Sequence, residues 1–417
     1  MINMYTNPVQ DKQVLLGVTG SIACYKAADL ASKLAQAGAH VQVILTAAAQ
    51  QFVTPLTFQS VTGQRAYTDS DLWGSEGHVQ HIGLGKGADL LAIAPASANT
   101  LAKLAHGIAD NLLSVTALAA TCPLLVAPAM DGGMYAHPAT QANLDILRQR
   151  GAVVVGPAEG HLASGMVGPG RMVEPNELVG QIRLLLARNG PLQGQRIVVT
   201  AGGTQEPIDP VRVLANRSSG KQGFAMAQAA LDLGAQVTLI SGPVSLPTPV
   251  GAQHIEVQTA QEMLVAVLSA CEHAEALIMA AAVADFRPVI AAGQKIKKGA
   301  ALPRLELEHT PDILAAVAQN KLSSGWPRLT VGFAAETQDL LDNAQAKLRA
   351  KKLDMIVAND VSAADAGFGV DCNRVTILFA DGRRESLPLM EKLEVAQAVF
   401  DRLLEHLTRL KDEQPEQ

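Results

Sequence analysis

Aromatic residues are scarce: only 3% of the 417 residues, comprising two Trp, four Tyr and eight Phe. A core with so few rings must be packed by Ala, Val, Leu and Ile, the aliphatic set that suits parallel sheets covered by helices on both faces. Cysteine is also rare. Cys24, Cys122, Cys271 and Cys372 stand far apart without CxxC or zinc-ligand spacing, which argues against a disulfide framework and for a reducing compartment. No excess of positive charge exists; the formal net charge is −6, so no overall basic field recruits nucleic acid or an anionic membrane. Long hydrophobic runs are missing too. The most apolar stretch, Ala276 to Ala284, falls well short of the roughly 20 residues a spanning helix needs. The opening MINMYTNPVQDKQ has neither the basic nor the apolar region of a signal peptide, so a soluble, cytoplasmic protein is expected.

The dinucleotide fingerprint GxGxxG is absent as well. TGSIACYK carries one glycine where that motif needs three, which argues against an NAD-type dehydrogenase. SSGKQG resembles a phosphate loop superficially, but that motif's first Gly would fall at Ala215 and its Ser/Thr at Gln222. A P-loop ATPase is therefore rejected. Each turn still offers backbone N–H groups at a helix start, where one phosphate is favoured.

What the chain does contain is a repeated strand–helix alternation, which implies parallel sheets with right-handed crossovers. VLLGV (Val14–Val18) predicts a buried strand, Ser21–Ala37 a helix ended by Gly38, and HVQVILT (His40–Thr46) a second strand. LLAIA, PLLVAPAM and AVVVGP follow as further strands. ARNGPLQGQ then interrupts the pattern with Gly, Pro and polar residues, which places a domain boundary at residues 190/191. The pattern restarts with RIVVTAGGT, a helix over Gly220–Leu233 and QVTLISGP, and continues through ALIMAAAV, TVGFAAET, MIVAND and VTILFA to a final helix over Leu389–Lys411. AGAHVQVILT in one half rhymes with LGAQVTLISG in the other. The expected fold class is α/β: two doubly wound, mostly parallel, Rossmann-like domains, 1–190 and 191–417.

Longer segments are more specific. GVTGSIACYKAADL, TPLTFQSVTG, HIGLGKGADLLAIAPASANTLAKLAHGIADNLL and APAMDGGMY resemble the flavin-containing cysteine decarboxylases. TAGGTQEPIDPVRVLANRSSGKQGFAMA, AAVADFRP, KIKK, TPDIL, VGFAAET and ANDVS resemble phosphopantothenate–cysteine ligase. In this order they resemble the bacterial bifunctional family that joins the two activities in coenzyme A synthesis, over nearly the whole chain. The resemblance implies a flavodoxin-like N-terminal domain with FMN, and a ligase domain using CTP and magnesium. It also implies 4'-phosphopantothenate and cysteine as substrates, an acyl-cytidylate intermediate, and oxidation of the cysteinyl arm by flavin before carbon dioxide leaves. A homo-oligomer is implied too, with trimers of the first domain and dimers of the second.

For the decarboxylase half, the resemblance places the FMN phosphate on Gly20, Ser21 and Ile22, with Thr46 and Ser97–Ala98–Asn99–Thr100 adding contacts. Small hydroxyl residues at strand ends and helix starts suit a phosphate, although a lone one there is ordinarily an N-cap. His81 matches the active-site histidine, whose unperturbed pKa of about 6.5 suits proton transfer at neutral pH; His78 lies outside the motif. Two positions depart from the best-known pattern: Asp131 stands where that pattern has Asn, and Ser164 where it has Cys. An ionised Asp would repel a substrate carboxylate, and a Ser hydroxyl is a much weaker acid than a thiol. The departures leave two readings, a subtype with another proton donor such as water, or a half that binds FMN without turnover. A non-catalytic flavin-binding regulator is a third, against which the long ligase match argues.

In the ligase half, Asn216 matches the residue handling the acyl-nucleotidate, since an amide donates to an oxyanion without adding charge. Lys295, first of KIKK, matches the lysine beside the triphosphate; in a bare sequence such a segment is a solvated loop. The resemblance puts Asp285 at the ribose, Met279, Ala280 and Ala281 along the base, and Phe333 against the nucleotide. Pro311, Asp312, Ile313, Leu314, Lys347 and Lys351 complete the set, the two lysines sharing a face at i,i+4 spacing. The sequence shows no all-protein metal cage, so magnesium is expected to arrive with the triphosphate.

Overall fold

The computed structural model describes residues 7–73, 80–298, 304–336, 340–360 and 369–412; His78 lies outside them. The chain divides into two compact units, Asn7–Arg188 and Asn189–Gln417.

The first unit is a six-stranded, wholly parallel sheet in the order Ala66–Tyr67, His40–Leu45, Gln13–Val18, Leu90–Ala96, Leu124–Pro128, Val153–Val154. Without the two-residue edge strand Ala66–Tyr67, the order is 2-1-3-4-5, the flavodoxin arrangement. The central strands are buried on both faces, which is why they read as continuous aliphatic runs. Because neighbouring residues in a strand point to opposite faces, Leu16 enters one core layer and Leu15 the other. Leu16 packs with Leu30 and Leu34 of helix Cys24–Gln36 and with Leu178 and Ile182 of helix Pro175–Ala187. Leu15 joins Leu101, Leu113 and Leu144 from the helices Ala98–His106, Leu112–Ala119 and Pro138–Gln149. An antiparallel hairpin, Ala158–His161 with Val167–Arg171, stands apart from the sheet.

The second unit holds an eight-stranded sheet in the order Gln253–Glu256, Gln236–Ser241, Arg196–Ala201, Ala276–Met279, Leu329–Glu336, Met355–Asp360, Val375–Phe379, Arg384–Ser386. The first six strands run parallel; Val375–Phe379 pairs antiparallel with Met355–Asp360, and Arg384–Ser386 pairs antiparallel with Val375–Phe379 in turn. One face is covered by Met263 and Val267, Ile313 and Val317, and Ala344 and Leu348, from three successive helices. Elsewhere in the unit, helix Lys221–Asp232 packs against the long final helix Lys392–Asp412.

The sequence extends several strands too far, and the backbone explains where they stop. RIVVTAGGT predicts a strand to Thr204, yet it ends at Ala201 because Gly202 adopts φ 73°, and a Cβ there would lie 2.9 Å from Val244 Cγ1. Gly220, at φ 75°, turns the chain into helix Lys221–Asp232. Among the described residues no helix is long and apolar enough to cross a membrane.

Candidate functional site

Both sheets reverse strand order beside their first strand, and open α/β sheets bind ligands at the carboxyl ends of strands flanking such a switch point. In the first unit this point lies between Gln13–Val18 and Leu90–Ala96. Thr19 ties the two strand ends together: its hydroxyl donates to the Pro95 carbonyl at 2.8 Å and accepts from the Ser97 N–H at 2.8 Å. Gly20 comes so close to the next turn that a Cβ would lie 2.6 Å from Ala48 Cβ. Ser21 Oγ accepts from the Ala23 N–H at 3.3 Å, and Ile22 is exposed. The Thr46 hydroxyl accepts from the Ala49 N–H at 3.3 Å. Ser97 N-caps the next helix, its oxygen accepting from the Thr100 N–H at 3.3 Å, with Ala98 and Asn99 in the first turn. The structure thus places the FMN contacts implied by the resemblance just after the carboxyl ends of three neighbouring strands. Ser97 also serves as the cap that a lone serine in this position would be.

His81 sits in helix Gln80–Gly87, and its Nδ1 is buried with no hydrogen-bond partner among the described residues. A buried polar atom without a partner is costly, so it marks a place where a ligand atom is favoured.

Asp131 and Ser164, distant in sequence, meet. Asp131 N-caps helix Gly132–Ala136 by accepting from the Gly133 N–H at 2.9 Å, while Ser164 Oγ donates to its other oxygen at 2.6 Å. The Ser164 hydroxyl first, then the Gly133 N–H, hold the Asp131 carboxyl below the usual carboxylate range. Ser164 rides on the turn joining the Ala158–His161 and Val167–Arg171 hairpin strands, whose base is fixed where the Met130 N–H donates to the Gly170 carbonyl at 3.0 Å. Sequence reading treats the two positions separately; the structure makes them one pair.

In the second unit the switch point opens into a cavity of about 1090 Å³. Asn216, Met279, Ala280, Ala281, Asp285, Pro311, Asp312, Ile313, Leu314, Phe333, Lys347 and Lys351 all line it, so twelve of the thirteen ligase positions predicted from sequence converge. Asn216 Nδ2 donates to the Val283 carbonyl at 2.9 Å, which fixes the plane of its amide. Met279 turns its side chain into the core, where its sulfur accepts from the Thr200 hydroxyl at 3.3 Å. Lys347 Nζ donates to the Phe333 carbonyl at 3.2 Å, and Lys351 pairs with Asp312. Burial pushes the Asp312 carboxyl up, but the Lys351 ammonium and the Ala315 N–H outweigh it and hold the group below its ordinary range.

Lys295 is not part of this lining. It is exposed, in a segment held beside another loop: the Ile296 N–H donates to Asp209 at 3.1 Å, and Arg212 donates to the Ile296 carbonyl at 3.2 Å. Conversely, the cavity includes Arg217, Lys221, Gln222, Asn359, Asn373 and Lys392, none of which the sequence reading assigns to the site. Lys221 and Gln222 lie in the rejected SSGKQG segment, where the glycine-turned helix start was the available signal; Lys392 had none, being brought in by the last helix. Burial, and then the Lys221 charge, push the Lys392 ammonium below its ordinary value. Among the described residues no group of three His, Cys, Asp or Glu is placed to hold a metal ion.

Comparison with known proteins agrees along the chain. The family model described as DNA/pantothenate metabolism flavoprotein C-terminal domain matches residues 192–407, and the Flavoprotein model matches residues 2–186. The coenzyme A biosynthesis bifunctional protein CoaBC of Bacillus subtilis (strain 168) is 49% identical over 391 residues, covering 93% of this chain and 95% of its own. The protein of the same description from Mycobacterium tuberculosis (strain ATCC 25618 / H37Rv) is 44% identical over 408 residues, covering 95% and 97%. Among solved structures, the C-terminal domain of a coenzyme A biosynthesis bifunctional protein CoaBC is 40% identical, with a TM-score of 0.45, covering 53% of this chain and 100% of that one. A PPC decarboxylase mutant complexed with pantothenoylaminoethenethiol is 37% identical, with a TM-score of 0.39, covering 42% and 98%.

Proposed function

The chain belongs to the family of bifunctional coenzyme A biosynthesis proteins, and from that premise we propose a division of labour. Residues 1–190 are an FMN-dependent phosphopantothenoylcysteine decarboxylase, and residues 191–417 are a phosphopantothenate–cysteine ligase using CTP. The observation that carries the ligase reading is the convergence of Asn216, Asp285, Phe333, Lys347 and Lys351 on one cavity at a sheet's switch point.

Forming an amide from a carboxylate is uphill in water, so the acid must first be activated by the nucleotide. Lys347 and Lys351 offset the charge of the phosphates. Asn216, with one N–H held by Val283, presents its second N–H to the acyl oxygen as negative charge develops there. Asp285 accepts from the sugar hydroxyls, and the half-buried Phe333 packs on the nucleoside. A magnesium ion enters with the triphosphate, held chiefly by phosphate oxygens and water rather than by a protein cage. The carboxylate displaces pyrophosphate from CTP to give the acyl-cytidylate, and the amine of cysteine then attacks its carbonyl carbon and expels CMP.

In the first unit, the close approach of Gly20 to Ala48 and the unpartnered His81 Nδ1 fit an FMN seated at the strand ends. Bound there, FMN would supply the two-electron oxidation that lets the substrate carboxylate leave as carbon dioxide, and would return both electrons to the product afterwards. Gly20, Ser21 and Ile22 bind its phosphate through the turn's N–H groups, and Thr46 and Ser97–Thr100 border it. His81 moves the proton at the reacting centre through Nδ1, and Ser164 holds its proton against Asp131 at the mouth of the crevice. A second reading, an active ligase with an FMN-binding half that does not turn over, is favoured by one observation: the ionised form of Asp131 is stabilised where a substrate carboxylate approaches.

Ile22, Tyr25, Phe52 and Leu56, each at least half exposed, support self-association of the first unit, while trimers of the first unit and dimers of the second rest on the family alone. Four cysteines without disulfides suit the cytoplasm. The deciding assay supplies phosphopantothenate, cysteine, CTP and magnesium, and follows pyrophosphate and carbon dioxide separately. Both products support the full reading, pyrophosphate alone selects the second, and neither refutes both. His81→Asn is expected to abolish carbon dioxide release and spare pyrophosphate release; loss of both would break the division into two sites.

A further inference from the structure

Four residues from separate elements of the second unit form a one-way chain of hydrogen bonds along the cavity wall. Gln222, in the first turn of helix Lys221–Asp232, donates through Nε2 to the main-chain carbonyl of Lys392 at 3.1 Å. Asn373 donates through Nδ2 to Gln222 Oε1 at 2.8 Å. Asn359, near the end of strand Met355–Asp360, donates through Nδ2 to Asn373 Oδ1 at 3.3 Å. There the chain stops: Asn359 Oδ1 is buried and has no partner among the described residues. All four residues line the cavity, and Asn373 is 3% exposed.

The direction of this chain is not arbitrary. A primary amide can be turned over, exchanging its donor and acceptor ends, but a peptide carbonyl can only accept. The Lys392 carbonyl therefore sets Gln222 with its nitrogen outward, which sets Asn373, which in turn sets Asn359. Reversing Asn359 alone would bring its Oδ1 against Asn373 Oδ1, two acceptors with no proton between them. Buried polar atoms are almost always satisfied, so the oxygen left at the end of the chain awaits a hydrogen from something absent from the bare protein.

We propose that Gln222 and Asn373 are positioning residues that lock the Asn359 amide with its oxygen toward the cavity. This end of the site then accepts a hydrogen bond from a substrate N–H or O–H and disfavours a phosphate or carboxylate oxygen. The inference rests on the ligase reading of the cavity and assigns it a polarity. All three substrates of that reading carry such donors: the nucleotide through sugar hydroxyls or a base amino group, phosphopantothenate through its hydroxyl and amide N–H, and the amino acid through its amine.

The test measures pyrophosphate release by the full-length protein and determines KM separately for CTP, phosphopantothenate and cysteine. Binding of CTP is followed in parallel by calorimetry, and folding by thermal melting. Asn359→Ala is expected to raise the KM of the substrate that supplies the donor roughly 3- to 12-fold, the worth of one neutral hydrogen bond, with kcat changed less than about twofold. Which of the three KM values moves identifies the source of the donor. Gln222→Met, which keeps length and removes both polar ends, is expected to raise the same KM, and the double variant to be no worse than Asn359→Ala alone. Independent, multiplying effects in the double variant overturn the relay, as does an Asn359→Ala protein with all three KM values unchanged. Should Gln222→Met fail to fold, Asn373 decides. Asn373→Asp still accepts from Asn359 Nδ2, whereas Asn373→Leu cannot, so the leucine variant must raise the KM several-fold more; equal effects refute the polarity. A wild-type protein that releases no pyrophosphate refutes the ligase reading instead.

Discussion

Replacing Gly223 by alanine sets two effects of similar size against each other. Gly223 lies in the first turn of helix Lys221–Asp232, where alanine is intrinsically better by about 1 kcal/mol. Yet the new Cβ would sit 2.5 Å from Ala201 Cβ, 2.8 Å from the Thr200 carbonyl oxygen and 2.9 Å from Ala201 Cα. These atoms belong to the strand, not to a flexible side chain, so the helix must give way. Moving from 2.5 Å to 3.4 Å, where ordinary contact begins, requires a retreat of 0.9 Å. Overpacking of this kind costs about 1–3 kcal/mol, so the net loss is about 0–2 kcal/mol. At roughly 2–4 °C per kcal/mol, the melting transition of the second unit falls by no more than roughly 8 °C. The functional loss is larger, because the displaced turn carries Lys221 and Gln222 on the cavity wall. A misplacement of about 1 Å can cost up to roughly 100-fold in rate, so ligase kcat/KM should drop at least tenfold in the pyrophosphate assay. Gly83→Ala is the control: in helix Gln80–Gly87 its Cβ meets no described atom within 4 Å, so only the helix preference remains and stability should rise by about 1 kcal/mol. A Gly223→Ala protein that melts higher and ligates normally would refute the close-packing argument.

Ser164→Ala removes the largest influence holding the Asp131 carboxyl down, so its pKa should rise toward the ordinary range in a carboxyl NMR titration; an unmoved pKa would mean the pair does not form in solution. The Asp312 carboxyl is also held down, so its contribution to stability is complete above the unfolded carboxylate pKa and disappears as pH falls through the lower folded value. Lys351→Met leaves burial opposed only by weaker partners, so the variant should unfold at a higher pH on acid titration, and an identical acid midpoint would contradict the pairing. Burial raises the Cys271 thiol to about 12, so at pH 8 roughly one molecule in ten thousand carries the thiolate. Alkylation followed by mass spectrometry should leave Cys271 unmodified until the second unit unfolds, and fast labelling of folded protein would overturn its burial.

Much of this architecture was legible because parallel strands buried on both faces are continuous aliphatic runs: VLLGV, LLAIA and ALIM needed no tertiary information. The short edge strands Ala66–Tyr67 and Gln253–Glu256 carried no comparable run and went unread. Overlong readings such as RIVVTAGGT failed where a left-handed glycine, rather than a change in hydropathy, ends the strand. Most of the cavity residues implied by the family resemblance sit in contiguous motifs near strand ends, whereas Lys347 and Lys351 come from helix Leu340–Ala350 and the residue after it. Asn359 with Asn373, and Asp131 with Ser164, are partners only because separate elements converge, and linear spacing holds no trace of such a meeting. Lys295 differs in the opposite sense. Its lysine-rich segment is conspicuous in the sequence, but its backbone is tied to the Asp209–Arg212 loop.

Gly170 gives the hairpin of the first unit an unusual mechanical character. Its φ of 155°, and the 2.3 Å that would separate a Cβ from the Met130 carbonyl oxygen, leave no room for any side chain at that point. The backbone there is clamped to the strand end like a riveted hinge plate, while the Ser164 end is fastened by one hydroxyl. Between the two fastenings the turn is closed by its own bonds, from the Leu162 N–H to the Met166 carbonyl and from the Gly165 N–H to the Leu162 carbonyl. A small molecule designed to wedge the crevice open gains nothing by pushing at the rivet; it has to compete for the oxygen of Asp131.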